Sequence, residues 1–256
     1  GHIYSKLKRY HDSAWQQEAS ARVDHAHMMR DRVLPDQIHN FAHNNEWLTR
    51  NLNHLGRAND AVALARNMIE LPRHPEYNSL AKPDAPSEYG KRGSARYGRT
   101  RLLETLLRYE MWDEIISASQ TVYLEKTTIP DEQAKRLAAV GMARYALGEG
   151  EKGTEILARL DQLKQRLEDM KLEAGAKAGA DALNGEKNDK EAEKAKADAM
   201  KPFDGRIKTI DQYRAELLAC QAAADKDGDE LKKQIAKAGK MSRERKSQLH
   251  LQVGNN

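Results

Sequence analysis

From Ala42 to Pro72 the chain reads AHNNEWLTRNLNHLGRANDAVALARNMIELP, and this stretch decides the fold. In its first half Trp47, Leu48, Leu52 and Leu55 recur at helical spacing. Gly56 then supplies the residue that most readily takes the left-handed turn ending such a helix. A second helix follows at once, with an apolar face of Ala61, Val62, Leu64, Ala65, Met68 and Ile69. Asn59 or Asp60 is available as its cap, and Pro72 closes it. Two helices joined by so few residues must lie antiparallel and adjacent.

The same phrase returns along the chain. It is written LKRYHDSAWQQEA from Leu7, YEMWDEIISAS from Tyr109 and LGEGEKGTEILARL from Leu147, with weaker echoes in DKDGDELKKQIAKAG from Asp225 and in the closing LHLQVGNN. A repeated helical hairpin predicts an all-α protein whose hairpins stack on one another. Between the hairpins, residues 73–93 hold three of the seven prolines and no helical period, which predicts a long ordered loop or insertion. SARYGRTRLLETLLRY, from Ser94, opens the third hairpin, and Pro130 starts the first helix of the fourth.

Ile156, Leu157, Leu160, Leu163, Leu167 and Met170 form a near-heptad stripe that runs past ordinary helix length and requires a partner. The helix containing Ile207, Ile210, Tyr213, Leu217 and Leu218 has the matching apolar face. Residues 171–205 between them are rich in alanine and lysine. They read either as an extended helical hairpin turning at Asn184-Gly185 and ending near Pro202, Phe203 and Gly205, or as a solvated linker. Helix-favouring composition places the hairpin first.

Composition bounds the function. The 256 residues contain 43 lysines and arginines against 39 acidic residues, a formal charge of +4 too small and too interspersed to specify nucleic acid or membrane. Mean hydropathy is -0.86, and no run approaches the length of apolar sequence needed to span a bilayer. The single Cys220 excludes an internal disulfide. It lies on an apolar helix face without a local activating base, so a buried, inert thiol is expected. Neither HExxH nor a glycine-rich phosphate loop after a strand is present, and GEGEKG at Gly148 reads as a turn between helices. Trp15, Trp47 and Trp112 sit within hairpins and are expected in the core.

The repeated phrase resembles the tetratricopeptide repeat, as a divergent member of bacterial type. In that register Gly1 and Gly141 take the small position of the first helix, Gly56 and Gly148 the turn, Tyr10 and Trp112 the aromatic position after it, and Ser13 and Ala61 the small position of the second helix. Ile115 and Gly153 stand where alanine is expected. Successive turns, at Lys8, Gly56, Glu110 and Gly148, are 48, 54 and 38 residues apart, against a family period of roughly 34. The resemblance implies a right-handed α-solenoid spanning 1–256 as one domain. Its parts would be first hairpins over 1–72, further hairpins over 94–170 and closing repeat helices from 206. Both ends fall inside repeats, so a longer parent chain is expected.

The resemblance also implies a non-catalytic scaffold that needs no cofactor and binds a peptide, a protein or another domain of the parent chain. First helices line the concave groove in that family. The register places His43, Glu46, Arg50, Asn53 and His54, then Tyr97, Thr100, Glu104 and Arg108, then Lys135, Met142 and Tyr145 there.

Two alternatives remain open. Eight of the nine histidines lie at or before His74, which opens a metal-dependent or catalytic role for this region, and His39 and His43, four apart on a helix, have a spacing that can hold a metal. Hydrogen-bonding histidines on a helix surface are the preferred reading. Lys91, Arg92, Arg96, Arg99, Arg101 and Arg108 form a basic face that can grip nucleic acid, although a solvated helix face accounts for it more simply.

Overall fold

The computed structural model describes residues 1–74, 93–185, 188–239 and 241–254. Its described residues form eleven α-helices, two single 3₁₀ turns and no strand. The chain forms two compact units, Gly1–Glu125 and Lys126–Asn256. The predicted loop falls on 73–93, of which 75–92 lie outside the described residues.

The first unit contains α1 (His2–Lys6), α2 (Tyr10–Asp31), α3 (His39–His54), α4 (Ala58–Glu70), α5 (Ser94–Arg108) and α6 (Trp112–Ala118). They pair as hairpins α1–α2, α3–α4 and α5–α6. Within this unit the second helix of each hairpin packs on the first helix of the next, α2 on α3 and α4 on α5, while α3 also meets α5. Ala14, Leu48, Leu52 and Ala61, contributed by α2, α3 and α4, form one buried cluster, with Leu55 and Leu64 packed against it. The buried Asp36 carboxylate accepts the His74 N–H at 3.0 Å and the Ser94 N–H at 3.4 Å, tying together the chain on either side of 75–92.

The second unit contains α7 (Pro130–Ala146), α8 (Gly150–Asn184), α9 (Asp189–Ala224), α10 (Gly228–Ala238) and α11 (Arg243–Gly254). At 35 and 36 residues, α8 and α9 each extend about 50 Å and pack side by side. The 171–205 tract is therefore a helical hairpin among its described residues. Asn188 caps the returning helix, accepting the Glu191 N–H at 3.0 Å. Ile156, Leu160 and Leu167 are buried in the seam, facing the helix that carries Ile210 and Leu217. Met170 is exposed, so the stripe leaves the seam there. Lys164 to Asp211 at 2.7 Å and Lys171 to Asp204 at 2.5 Å flank it.

Pro202 does not end the hairpin as expected, because α9 runs straight through it. A proline in a helix removes one N–H, here the donor to the Asp198 carbonyl. Both residues lie on the exposed side, so that carbonyl is not left in an apolar interior.

Five helix–helix turns share one geometry. Lys8, Gly56, Glu110, Gly148 and Lys226 have φ of 58°, 74°, 53°, 75° and 60°. In every case the next residue donates its N–H back to the carbonyl five positions earlier: Arg9 to Tyr4, Arg57 to Leu52, Met111 to Leu106, Glu149 to Arg144 and Asp227 to Ala222, at 2.8 to 2.9 Å. This is the Schellman closure of a helix by a left-handed residue. The second helix then begins two residues after the turn, at Tyr10, Ala58, Trp112, Gly150 and Gly228. Three residues further on, Ser13, Ala61, Ile115, Gly153 and Leu231 are all buried where the helices cross.

Gly148 is exposed, and an added Cβ there meets nothing within 4 Å, so its role is conformational. Gly148→Val is expected to lower stability by about 1 kcal/mol or more, the cost of a β-branched residue held at positive φ. Thermal unfolding measures it; an unchanged midpoint contradicts the assignment.

Candidate functional site

Helix α3 is the centre of the first unit, and its four faces have different partners. Toward α2, Asn51 donates to Ser13 Oγ at 2.9 Å and Asn44 to Asp24 at 3.0 Å. Toward α5, Asn53 Nδ2 donates to Thr105 Oγ1 at 2.8 Å, the Tyr109 hydroxyl donates to the Asn53 carbonyl at 2.6 Å, and Glu46 pairs with Arg101. Leu48 and Leu52 turn toward the core. The fourth face, carrying His43, Trp47, Arg50 and His54, is open to solvent or half-buried.

On α5 the residues Tyr97, Glu104 and Arg108 share one helical face, with Thr100 beside it. The two open faces adjoin beside the Asn53–Thr105 and Glu46–Arg101 contacts, and His54 lies on the α3 face. Burial, and then the positive charges of Arg108 and Arg50, hold its imidazole below the usual histidine range, while Glu104 opposes them. Tyr10 stacks on this imidazole with ring centroids 4.2 Å apart and planes 10° from parallel. The Arg50 guanidinium lies over the Trp47 ring at 4.3 Å. Cations, one carboxylate and aromatic faces are thus presented together, a surface that can pair with charged and polar groups.

Of the register-predicted groove residues, the structure brings together His43, Arg50, His54, Tyr97, Thr100, Glu104 and Arg108 on these adjoining faces. Glu46 and Asn53 do not lie on these open faces. They are 5% and 3% exposed and serve as the polar link between α3 and α5. Lys135, Met142 and Tyr145 lie on α7 of the second unit. Met142 and Tyr145 are buried there, because both α8 and α9 pack on α7 and leave little of its circumference open. Tyr145 shares a 3.2 Å hydrogen bond with Thr154, and burial pushes its phenol up. Lys135 is half-buried and interacts within its surroundings.

The histidines form a stacked row. His39 and His43 have ring centroids 5.7 Å apart, His43 and His2 5.1 Å apart, and the latter pair share a 3.2 Å hydrogen bond between their Nε2 atoms. His2 also meets Trp47 edge-on at 4.2 Å. Among the described residues no three of His, Cys, Asp and Glu are grouped so as to hold a metal ion. In the basic stretch, Arg99 pairs with Glu125, and Arg101 is shared by Glu46 and Glu104. Lys91 and Arg92 lie outside the described residues.

Sequence reasoning read Arg101 only as part of a basic face, without its role of joining α3 to α5, and misplaced all three tryptophans. Trp47 is half-buried at the histidine row, Trp112 is half-buried at the start of α6, and Trp15 is 66% exposed on α2. Helical spacing alone cannot separate an apolar residue facing a neighbour from one facing water. Cys220 is buried as expected; burial pushes its thiol up, and Arg245 donates to Sγ at 3.2 Å. No described helix is long and apolar enough to cross a membrane.

Compared with known proteins, the chain matches no family model, no curated protein and no solved structure.

Proposed function

We propose that this chain is a non-catalytic binding scaffold of tetratricopeptide-like hairpins, arranged as a right-handed solenoid, whose first helices present a concave face to a peptide or protein. The partner is a polar segment of another protein or another domain of a parent chain. The observation that carries this reading is the pair of adjoining open faces on α3 and α5, where Arg50, His54, Glu104 and Arg108 stand together. The five identical turns and the packing of α2 on α3 and α4 on α5 support the repeat architecture. The side chains beneath are fixed by the Asn53–Thr105 and Glu46–Arg101 contacts, so little ordering cost falls on the scaffold when it binds.

Reversing both cations, Arg50→Glu with Arg108→Glu, is expected to weaken capture of the partner by at least about tenfold, since rim and face charges set both steering and complementarity. Affinity capture from cell extract with wild-type and variant protein, followed by mass spectrometry, measures it. Proteins retained equally by both would sink the assignment of this face.

A metal-dependent role for the histidine row is the second reading, favoured by the contact between His2 and His43. Stoichiometric zinc, iron or copper in protein purified without a histidine tag would establish it and overturn the pure scaffold. Nucleic-acid binding through the basic face is weaker, since Arg99 and Arg101 are engaged by carboxylates. Salt-sensitive retardation of RNA or DNA in a gel would revive it.

A further inference from the structure

On the side of α3 away from His43, Arg50 and His54, helices α2 and α4 stand apart and leave an open slot of about 420 Å³. Its walls are Ala14 and Ala21 from α2, Leu48 and Leu52 from α3, and Leu64 from α4. The apolar residues that α2 contributes are both alanines, two turns apart. A cleft of this size with apolar walls and a few polar groups matches sites that take apolar ligand groups.

Its rim is charged and mostly basic. Arg22 and His25 from α2 and Arg57 at the start of α4 line it, with Glu18 as the single carboxylate among the lining residues. Arg22 pairs with Glu18 at 2.5 Å and Arg57 with Asp60 at 2.7 Å, but all four side chains are about half or more exposed. Such pairs hold together weakly and exchange readily for another carboxylate. The stretch from residue 1 to 32 contains six lysines and arginines against four carboxylates, with four histidines besides.

We infer that the slot between α2 and α4 is a second binding site, which takes an aliphatic side chain of an acidic peptide segment and sets that segment's carboxylates against Arg22 and Arg57. An aliphatic group covers the leucines and alanines, and carboxylates replace Glu18 and Asp60 as partners of the two guanidiniums. A basic peptide of the same apolar pattern would face Arg22 and Arg57 with like charge. Lying opposite the open face of α3, the site works independently of the groove described above.

The test uses three fluorescein-labelled peptides: glutamates with leucine at every third or fourth position, the same pattern with lysine for glutamate, and glutamates with glutamine for leucine. Fluorescence anisotropy with the full chain should show saturable binding of the glutamate–leucine peptide, at least tenfold tighter than either other peptide and weakened by salt. Arg22→Glu with Arg57→Glu, both exposed positions, should transfer the preference to the lysine–leucine peptide. Ala21→Phe should fill the slot and abolish binding while leaving thermal unfolding in place. Should Ala21→Phe fail to fold, the charge-reversed pair still decides. Arg50→Glu with Arg108→Glu should bind the glutamate–leucine peptide as wild type does. Absence of saturable binding, an unchanged preference in the Arg22/Arg57 variant, or loss of binding in the Arg50/Arg108 variant would overturn the site.

Discussion

Gly98→Leu is expected to destabilise the first unit by about 3 kcal/mol, at the upper end of the cost of overpacking a well-filled core. Gly98 lies inside α5 where that helix meets α4. A Cβ added there would sit 2.7 Å from the Ala65 carbonyl oxygen and 2.9 Å from both Met68 Cβ and Ile69 Cγ1. The first of these is backbone, which cannot rotate away, so the two helices must separate. Even Gly98→Ala should lose stability, despite the gain of about 1 kcal/mol that alanine brings to a helix interior. Gly205→Ala provides the contrast. That residue is also helical, lies exposed on α9 and has nothing within 4 Å of an added Cβ, so propensity acts alone and stability should rise by about 0.5 to 1 kcal/mol. Denaturant unfolding followed by circular dichroism measures all three. A stabilised Gly98→Ala would show that α4 and α5 do not approach this closely.

Much of the fold was legible because its determinants are local. The turn phrase needs a handful of consecutive residues, and the positions read from it as turns, Lys8, Gly56, Glu110 and Gly148, all adopt the left-handed conformation, as does Lys226 in one of its weaker echoes. The phrase was informative even where no glycine stands, since Lys8 and Glu110 take positive φ within the same hydrogen-bonded closure. The small positions Ser13 and Ala61 were legible for the same reason, being fixed by distance from the turn.

The candidate site was legible only in part, because the burial of a polar residue depends on partners far away in sequence. Asn53 has the helical spacing of a groove residue, yet it is buried by Thr105, 52 positions on. Glu46 is taken up by Arg101, 55 positions on. No window that reads one helix at a time contains either partner. Trp15 erred in the opposite direction: an aromatic on a helix was read as core, but no described helix covers that side of α2, and the ring remains exposed. Pro202 was read as a terminus because proline ends helices when its lost hydrogen bond is costly, and at an exposed position water lowers that cost.

Leu217→Ala is expected to cost the second unit about 3 kcal/mol, within the range for removing a fully buried leucine. Leu217 on α9 covers Gly141 on α7, and the two are matched in volume. An added Cβ at Gly141 would fall 2.7 and 2.8 Å from the two Leu217 methyl carbons and 3.1 Å from Ile156 Cγ2. Gly141→Ala alone therefore overpacks the crossing, and the strain should outweigh its helix-propensity gain of about 1 kcal/mol. In Leu217→Ala the same methyl group would enter space the leucine has left. The double variant should consequently be more stable than the two single costs added together, by about 1 kcal/mol or more, the size of coupling found for residues in direct contact. Unfolding of the wild type, both single variants and the double variant under one set of conditions yields this difference. Strict additivity would mean that α7 and α9 do not cross at Gly141 and Leu217. The coupling would place the crossing there, since only side chains sharing one volume can compensate in this way.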